Sequence, residues 1–414
     1  MPHSIDAIPY WEYSLFFTMH KHLSIVAILF LWGGAAWAQI DMQAPVMSDA
    51  GLEAYNTYKL RQKNYYTGNC VYDSLVLLDG EALFARLNTL MGTTNKITQS
   101  SYDYGALRNR YFAVDKDLNN ASNIITFYDG ASINGTWDSG KTWNREHVWP
   151  QSQGVSSSFC MGYDMHSVRP ARTEINSGHG STCYGENYGW DPDDVGISNP
   201  NYNPIHYASY RGDVARILLY NYINYGKMGS ASSDLYNGAA QLPNKAASLY
   251  ESLSMLIAWH LNDVPSLTEM TRNDGAQTYQ GNRNPFIDYP DLALRILRSS
   301  LTTYSVTYSG AATMNPAYTL VTSSGAVCYL RMSKGVHPSQ VEVTGAQYTY
   351  DTTTGRLALT NVNQAVTITV KDSPTDLADA AADANSPSTK QLRNGRIVII
   401  RNGQTYSLTG QRLQ

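Results

Sequence analysis

The clearest periodicities along the chain are helical. Leu83, Leu87, Leu90 and Met91 fall on one stripe behind Asp79-Gly80-Glu81, which predicts an amphipathic helix opened by an acidic first turn. Val214, Ile217, Leu218, Tyr222 and Tyr225 follow Arg211 at the same spacing, and Leu249, Leu253, Leu256, Ile257 and His260 repeat it. These read as packing helices, and His260 on such a stripe reads as a hydrogen-bonded core histidine. Residues 39 onward begin with a polar lead, while residues 123–128, rich in Ile, Thr and aromatics, predict a strand. Residues 185–207 are full of Asn, Pro, Asp and Gly and predict a long irregular loop. Beyond about Leu301 the period changes to alternation, as in Val341-Glu342-Val343 and Val366-Thr367-Ile368-Thr369-Val370 between Gly, Ser and Asn turns. That pattern predicts a small all-β, sandwich-like module over residues 301–372.

The two ends differ from the middle. After Met19 a short basic start, an apolar run over residues 23–32 and Ala36-Trp37-Ala38 together form a signal-peptide pattern, so residues 1–38 are set aside, with 1–18 preceding the better start. The apolar run is shorter than the ~20 residues a membrane helix needs. Residues 373–389, rich in Ala, Asp, Ser and Pro, read as a linker, and residues 390–414 resemble sorting or anchoring tails of exported proteins, which would engage export machinery. With 414 residues the chain calls for more than one domain, the helical part occupying residues 39–300. Thirty Lys and Arg against 34 Asp and Glu leave a formal net charge of -4, which excludes a broad basic surface coating nucleic acid and confines any such contact to a local patch. Four cysteines, Cys70, Cys160, Cys183 and Cys328, allow three full pairings; Cys160 with Cys183 would brace the segment they flank. A zinc site using these cysteines with His166 or His179 lacks any C-x-x-C pair.

Candidate chemistry concentrates in residues 143–176, reading WNREHVWPQSQGVSSSFCMGYDMHSVRPARTEIN. Glu146 and His147 are adjacent, so on a regular strand they face opposite ways and can share a site only where the strand ends or bends. Trp149-Pro150 supplies that ending. Residues 161–168 form a second apolar stretch that, as a strand, carries Asp164 and His166 on one face. Pro170 suits the first position of a short helix over residues 171–176, ending at Ser177-Gly178. Oxygen ligands for a hard cation, an imidazole to take a proton from water and guanidinium groups for phosphate are the requirements of metal-assisted phosphodiester hydrolysis.

This segment resembles the endonuclease I family, a branch of the ββα-metal (His-Me finger) nucleases. The block WNREHVWP matches letter for letter, and Asp164-Met165-His166 with Glu174-Ile175-Asn176 resembles the family's second block. Residues 211–216, Trp259-His260 and residues 280–288 extend the likeness over roughly residues 50–300; in the last of these Arg283 and Asp288 are available for an internal salt bridge. The resemblance implies an α+β fold, a ββα-metal nuclease domain among helices followed by the β-module and tail. It implies His147 as general base and Glu146 and Asn176 as ligands of one divalent cation, Mg²⁺ by type, with 5′-phosphate products. Arg145, Arg169 and Arg172 are the phosphate candidates, Arg172 sitting four residues before Asn176 on one face of the expected helix, and Asp164 and His166 are orienting candidates. Asn176 has a rival role as a helix C-terminal cap. Where the family usually carries an arginine after this asparagine, Gly178-His179-Gly180 stands instead. The implied protein is a secreted, periplasmic or cell-surface endonuclease of low sequence specificity acting on DNA, with RNA left open. An exported surface-binding protein with a decayed nuclease fold is the competing class, opposed by the intact Glu146, His147 and Asn176.

Overall fold

The computed structural model describes residues 49–68, 75, 78–94, 104–117, 120–153, 160–182, 184–186, 189–198, 209–225, 253–332 and 337–372, with strand segments at 389–393, 396–401, 404–406 and 412–413. The signal-peptide segment and nearly all of the linker lie outside them. No helix of the described residues is long and apolar enough to cross a membrane. The fold is α+β, as the sequence predicts.

The polar lead contains a helix that the apolar pattern misses. Helix α1 (Asp49–Gly68) buries Tyr58, Gln62, Tyr65 and Tyr66, a stripe of helical spacing built from residues with polar tips. Three of those tips converge on Asp288, Tyr58 and Tyr66 each donating to a carboxylate oxygen at 2.8 Å and the Gln62 amide donating to the backbone carbonyl at 3.1 Å. Helix α2 (Gly80–Thr94) follows with Leu83, Leu87, Leu90 and Met91 buried as expected, then helix α3 (Leu107–Val114). The strand expected over 123–128 is shorter: β1 (Asn123–Ile125) pairs antiparallel with β2 (Ser132–Asn134). Then come β3 (Trp143–His147), β4 (Val168–Arg172) and helix α4 (Thr173–His179). Helix α5 (Pro192–Ser198) sits inside the predicted loop, because Pro192 is a good helix opener and Asp193 and Asp194 favour a first turn.

Helix α6 (Arg211–Tyr225) is the centre of the helical part, buried nearly all round. Helix α7 (Leu253–Asn262) packs against it, and His260 is fully buried, its Nε2 donating to the Pro290 carbonyl at 2.8 Å. A capping box of Ser266 and Glu269 starts helix α8 (Leu267–Gln280). Short helices α9 (Pro285–Asp288) and α10 (Leu292–Leu297) close this part. The expected Arg283–Asp288 bridge is present and bidentate, at 2.9 and 2.8 Å, and Arg283 also reaches Asp274 at 2.6 Å, all with no exposure at the guanidinium.

The β-module has two four-stranded sheets. One runs β10 (Gln347–Tyr350), β11 (Arg356–Thr360), β8 (Ala326–Arg331), β6 (Thr313–Asn315); the other runs β7 (Leu320–Val321), β5 (Tyr304–Ser309), β12 (Val366–Val370), β9 (Val341–Thr344). Alternation works as read: Val366, Ile368 and Val370 are buried while Thr367 faces solvent. The apolar cluster is continuous across Leu301, joining Leu294 and Leu297 of α10 to Val321, Leu357 and Ile368. Cys328 in β8 is a buried free thiol, so the four cysteines do not all pair; burial pushes it up to about 12. Cys70 and Cys183 lie outside the described residues. The tail forms a meander, β13 (Thr389–Arg393), β14 (Arg396–Arg401), β15 (Gln404–Tyr406) and β16 (Arg412–Leu413).

Two stability predictions follow from the buried charges. Arg283→Ala leaves Asp274 and Asp288 buried without their cation, and urea unfolding is expected to show a loss of about 3–5 kcal/mol; a loss under about 1 kcal/mol would mean the bridge contributes little. Burial pushes His260 down to about 3, far below the ~6.5 of an unfolded histidine. Its contribution is present above pH ~6.5 and is lost progressively as pH falls toward 3, because only the unfolded chain takes up the proton. Between pH 7 and 4.5, His260→Leu is therefore expected to gain about 2.5 kcal/mol relative to wild type, read as the change in the difference between the two unfolding free energies. A constant difference would exclude a protonation-linked role for this ring.

Candidate active site

Strands β3 and β4 pair antiparallel in the register Trp143↔Arg172 to His147↔Val168, and α4 follows without a loop. Strand β3 ends at His147 because the chain bends at Val148 and Trp149 before Pro150. The helix expected over residues 171–176 begins two residues later, at Thr173, and Pro170 lies inside β4 opposite Arg145. Its carbonyl accepts from the Phe127 amide at 2.8 Å, on the side away from β3, so its missing N–H costs the β3–β4 ladder nothing. Helix α4 then runs past Ser177-Gly178 to His179, and Gly180, at φ 57°, donates its amide to the Asn176 carbonyl at 2.9 Å. Asn176 is thus inside the helix, and the cap is Gly180. The second apolar stretch is a 3₁₀ turn (Cys160–Tyr163) and a further turn, not a strand. Arg172 is the last residue of β4, so it is not on the Asn176 face of a helix.

The period of two along β3 sorts the side chains. Asn144 and Glu146 face α4, where Asn176 and His179, three apart on one helical face, meet them. The Asn176 amide donates to Asn144 Oδ1 at 2.5 Å, and His179 Nδ1 lies 2.7 Å from Glu146 Oε1. Glu146 is 2% exposed, and Tyr128 donates its hydroxyl to the same Oε1 at 2.7 Å. Trp143, Arg145 and His147 face the other way. His147 Nε2 lies 3.0 Å from the Gly162 carbonyl, which can only accept, so the ring hydrogen sits on Nε2 and Nδ1 keeps its lone pair. Burial pushes this ring down to about 4, with the Gly162 carbonyl raising it and Arg145 lowering it further; it is neutral at pH 7. Tyr104 stacks on it with centroids 5.4 Å apart.

The three arginines fare differently. Arg145 lies 3.6 Å over the Tyr104 ring and donates to the Tyr104 carbonyl at 2.7 Å. Arg169 is buried over Phe127, 3.6 Å from Asp115, and burial lowers its proton affinity. Arg172 keeps some exposure, contacting Glu174 and lying 3.5 Å from Asp129. Asp164 and His166 are interior: Asp164 accepts from Tyr220, Tyr225, the Gln280 amide and the His166 backbone amide, and His166 Nε2 donates to the Asn282 carbonyl at 3.2 Å. Burial pushes His166 down to about 4. Sequence reasoning misses Asn144, Tyr128 and the contact of His179 with Glu146. The alternation Asn144-x-Glu146 and the spacing Asn176-x-x-His179 are the signals that mark the first and last.

Among the described residues no group of three or more His, Cys, Asp and Glu side chains could hold a metal. The α4-facing side of β3 instead offers carboxylate and amide oxygens from Glu146 and Asn176, hard donors of the kind Mg²⁺ takes alongside water and phosphate.

The sequence profile of the Endonuclease I family matches residues 81–291. The chain is similar to the extracellular ribonucleases of Bacillus subtilis (strain 168) and Bacillus amyloliquefaciens, 31% identical to each over 216 and 222 residues. The alignments cover 50% and 52% of this chain and 73% of each relative. The matched segment contains the β3–β4–α4 unit with Glu146, His147 and Asn176, and the chain belongs to the endonuclease I family of nucleases.

Proposed function

We propose that this protein is an exported, metal-dependent endonuclease that hydrolyses phosphodiesters in DNA and RNA with little regard to base sequence. The observation that carries the reading is His147: a neutral imidazole with its hydrogen fixed on Nε2 and its Nδ1 lone pair available, on the last residue of the strand that also carries Glu146. The names of the two extracellular ribonucleases support export and put RNA beside DNA. With a net charge of -4, substrate contact is local and directed at phosphates, which carry no sequence information.

In this reading His147 Nδ1 accepts a proton from the attacking water, the hydroxide forms a bond to phosphorus as the bond from phosphorus to the 3′ oxygen breaks, and the leaving 3′ oxygen takes a proton from solvent. Glu146 and Asn176 would hold one divalent cation, Mg²⁺ by donor type, which supplies charge neutralisation for the phosphate when bound. The Asn176 amide nitrogen is occupied by Asn144, which turns its carbonyl oxygen into the free donor. Arg172, at the junction of β4 and α4 and partly exposed, is the arginine we assign to a neighbouring phosphate. Products carry 5′-phosphate ends.

Nicking of supercoiled plasmid and cleavage of a long RNA, each with Mg²⁺ and with EDTA, test the activity; cleavage that persists in EDTA would remove the cation from the reading. Removing side chains separates the two roles. His147→Ala is expected to lower the rate on the order of 10²-fold or more while calorimetric cation binding stays as in wild type. Asn176→Ala and Glu146→Ala are expected to weaken cation binding, with part of the activity recovered at higher Mg²⁺. Loss of cation binding in His147→Ala with retention in Asn176→Ala would reverse the assignment. Binding of nucleic acid by His147→Ala is further expected to weaken steeply with salt; a flat salt dependence would point to non-ionic contacts.

A further inference from the structure

We propose that His179 and Tyr128 are positioning residues that pin one oxygen of Glu146 so that its other oxygen stays turned to the cation. The inference rests on the reading of Glu146 as a ligand. Both residues contact Oε1, at 2.7 Å each, and among the described residues Oε2 has no hydrogen-bond partner. His179 cannot rotate to another partner, because its Nε2 is 3.1 Å from the Thr182 carbonyl and its ring is enclosed by Tyr184 and Trp190 at 4.7 and 4.6 Å. It is fully buried. The Thr182 carbonyl can only accept, so Nε2 carries a hydrogen, and the proton of the Nδ1–Oε1 contact lies between ring and carboxylate. At 2.7 Å the contact is short and holds the carboxylate oxygen in one direction.

Tyr128 reaches the same oxygen from the turn between β1 and β2. It does so at φ 80°, a conformation that costs a bulky L-residue free energy and persists only where its surroundings enforce it. Its one hydroxyl hydrogen goes to Glu146. The Tyr184 hydroxyl, 2.6 Å away, therefore donates to Tyr128 in preference to the Val148 carbonyl at 3.1 Å, and the chain Tyr184 to Tyr128 to Glu146 points one way. Two rigid donors on one carboxylate oxygen fix the rotation of the carboxylate plane, which is the variable that outer partners control in a ligand.

The test is calorimetric titration of the full chain with Mn²⁺ and with Mg²⁺, together with the rate at saturating cation. His179→Asn keeps an amide N–H near the place of Nδ1, whereas His179→Gln keeps one only near Nε2, so the two lose similar packing but differ at Glu146. His179→Gln is expected to weaken cation binding about 10–100-fold, His179→Asn to stay near wild type, and both to approach the wild-type rate once cation saturates. Tyr128→Phe is expected to weaken binding by a smaller factor. Equal cation affinity for the Asn and Gln variants would overturn the inference, since a packing role alone predicts equality. Should neither His179 variant fold, Tyr128→Phe decides: weaker cation binding with an unchanged melting temperature supports the inference, and unchanged affinity overturns it. A wild type with no saturable cation site would overturn the ligand reading of Glu146 and this inference with it, an outcome distinct from a wild type that binds and variants that bind equally.

Discussion

A two-stranded ribbon of five-residue strands does not hold its shape in water, and β3–β4 is such a ribbon. What fixes it is a set of buried polar side chains delivered by residues more than a hundred positions later. Arg272 of α8 donates to Asp115 at 2.7 Å and to the carbonyl of Val168, the first residue of β4, at 3.2 Å. Gln280 receives the Met165 amide at 2.9 Å and donates to Asp164 at 2.8 Å, so the turn leading into β4 is tied to the end of α8. Asn282 donates to the Tyr220 hydroxyl at 2.7 Å, closing the network onto α6. A buried network of this kind specifies one arrangement because each lost bond strands a polar group in the interior. The precision of the site is thus a property of α6, α8 and the residues after α8.

That dependence explains what the sequence disclosed. Stripes of Leu, Ile and Val announce α2, α6, α7 and the β-module, since their burial follows from periodicity alone. Helix α1 stays hidden because its buried stripe is Tyr and Gln, and only the position of Asp288 makes that stripe interior. The ends of the site elements depend on distant partners in the same way. Pro170 reads as a helix opener until Phe127 is known to take its carbonyl, and Asn176 reads as a cap until Gly180 does so. Asp164 and His166 read as orienting candidates from the sequence, and the partners through which they hold the turn into β4, Gln280 and Asn282, are visible only once the folded chain places them there. The motif draws attention to Glu146, His147 and Asn176, whereas the company each keeps shows only in three dimensions.

The division of β3 into two faces has a chemical consequence. A general base must be neutral at working pH, and a carboxylate beside an imidazole raises its proton affinity. On β3 the carboxylate and the imidazole are consecutive, yet the strand's alternation sends Glu146 toward α4 and His147 toward Tyr104 and Gly162. The ring's proton affinity is then set by burial first, with a carbonyl and the Arg145 guanidinium as the other influences, and it falls to about 4. Glu146, 2% exposed, meanwhile faces a different histidine, His179, whose Nδ1 lies 2.7 Å from its Oε1, and accepts the Tyr128 hydroxyl at the same oxygen. Exchanging the residues at 146 and 147 would keep the composition of the motif and invert both environments. The carboxylate would face Gly162's carbonyl without a donor, and the imidazole would face His179. Adjacency in sequence is therefore the means by which the strand's alternation keeps the two groups electrostatically apart.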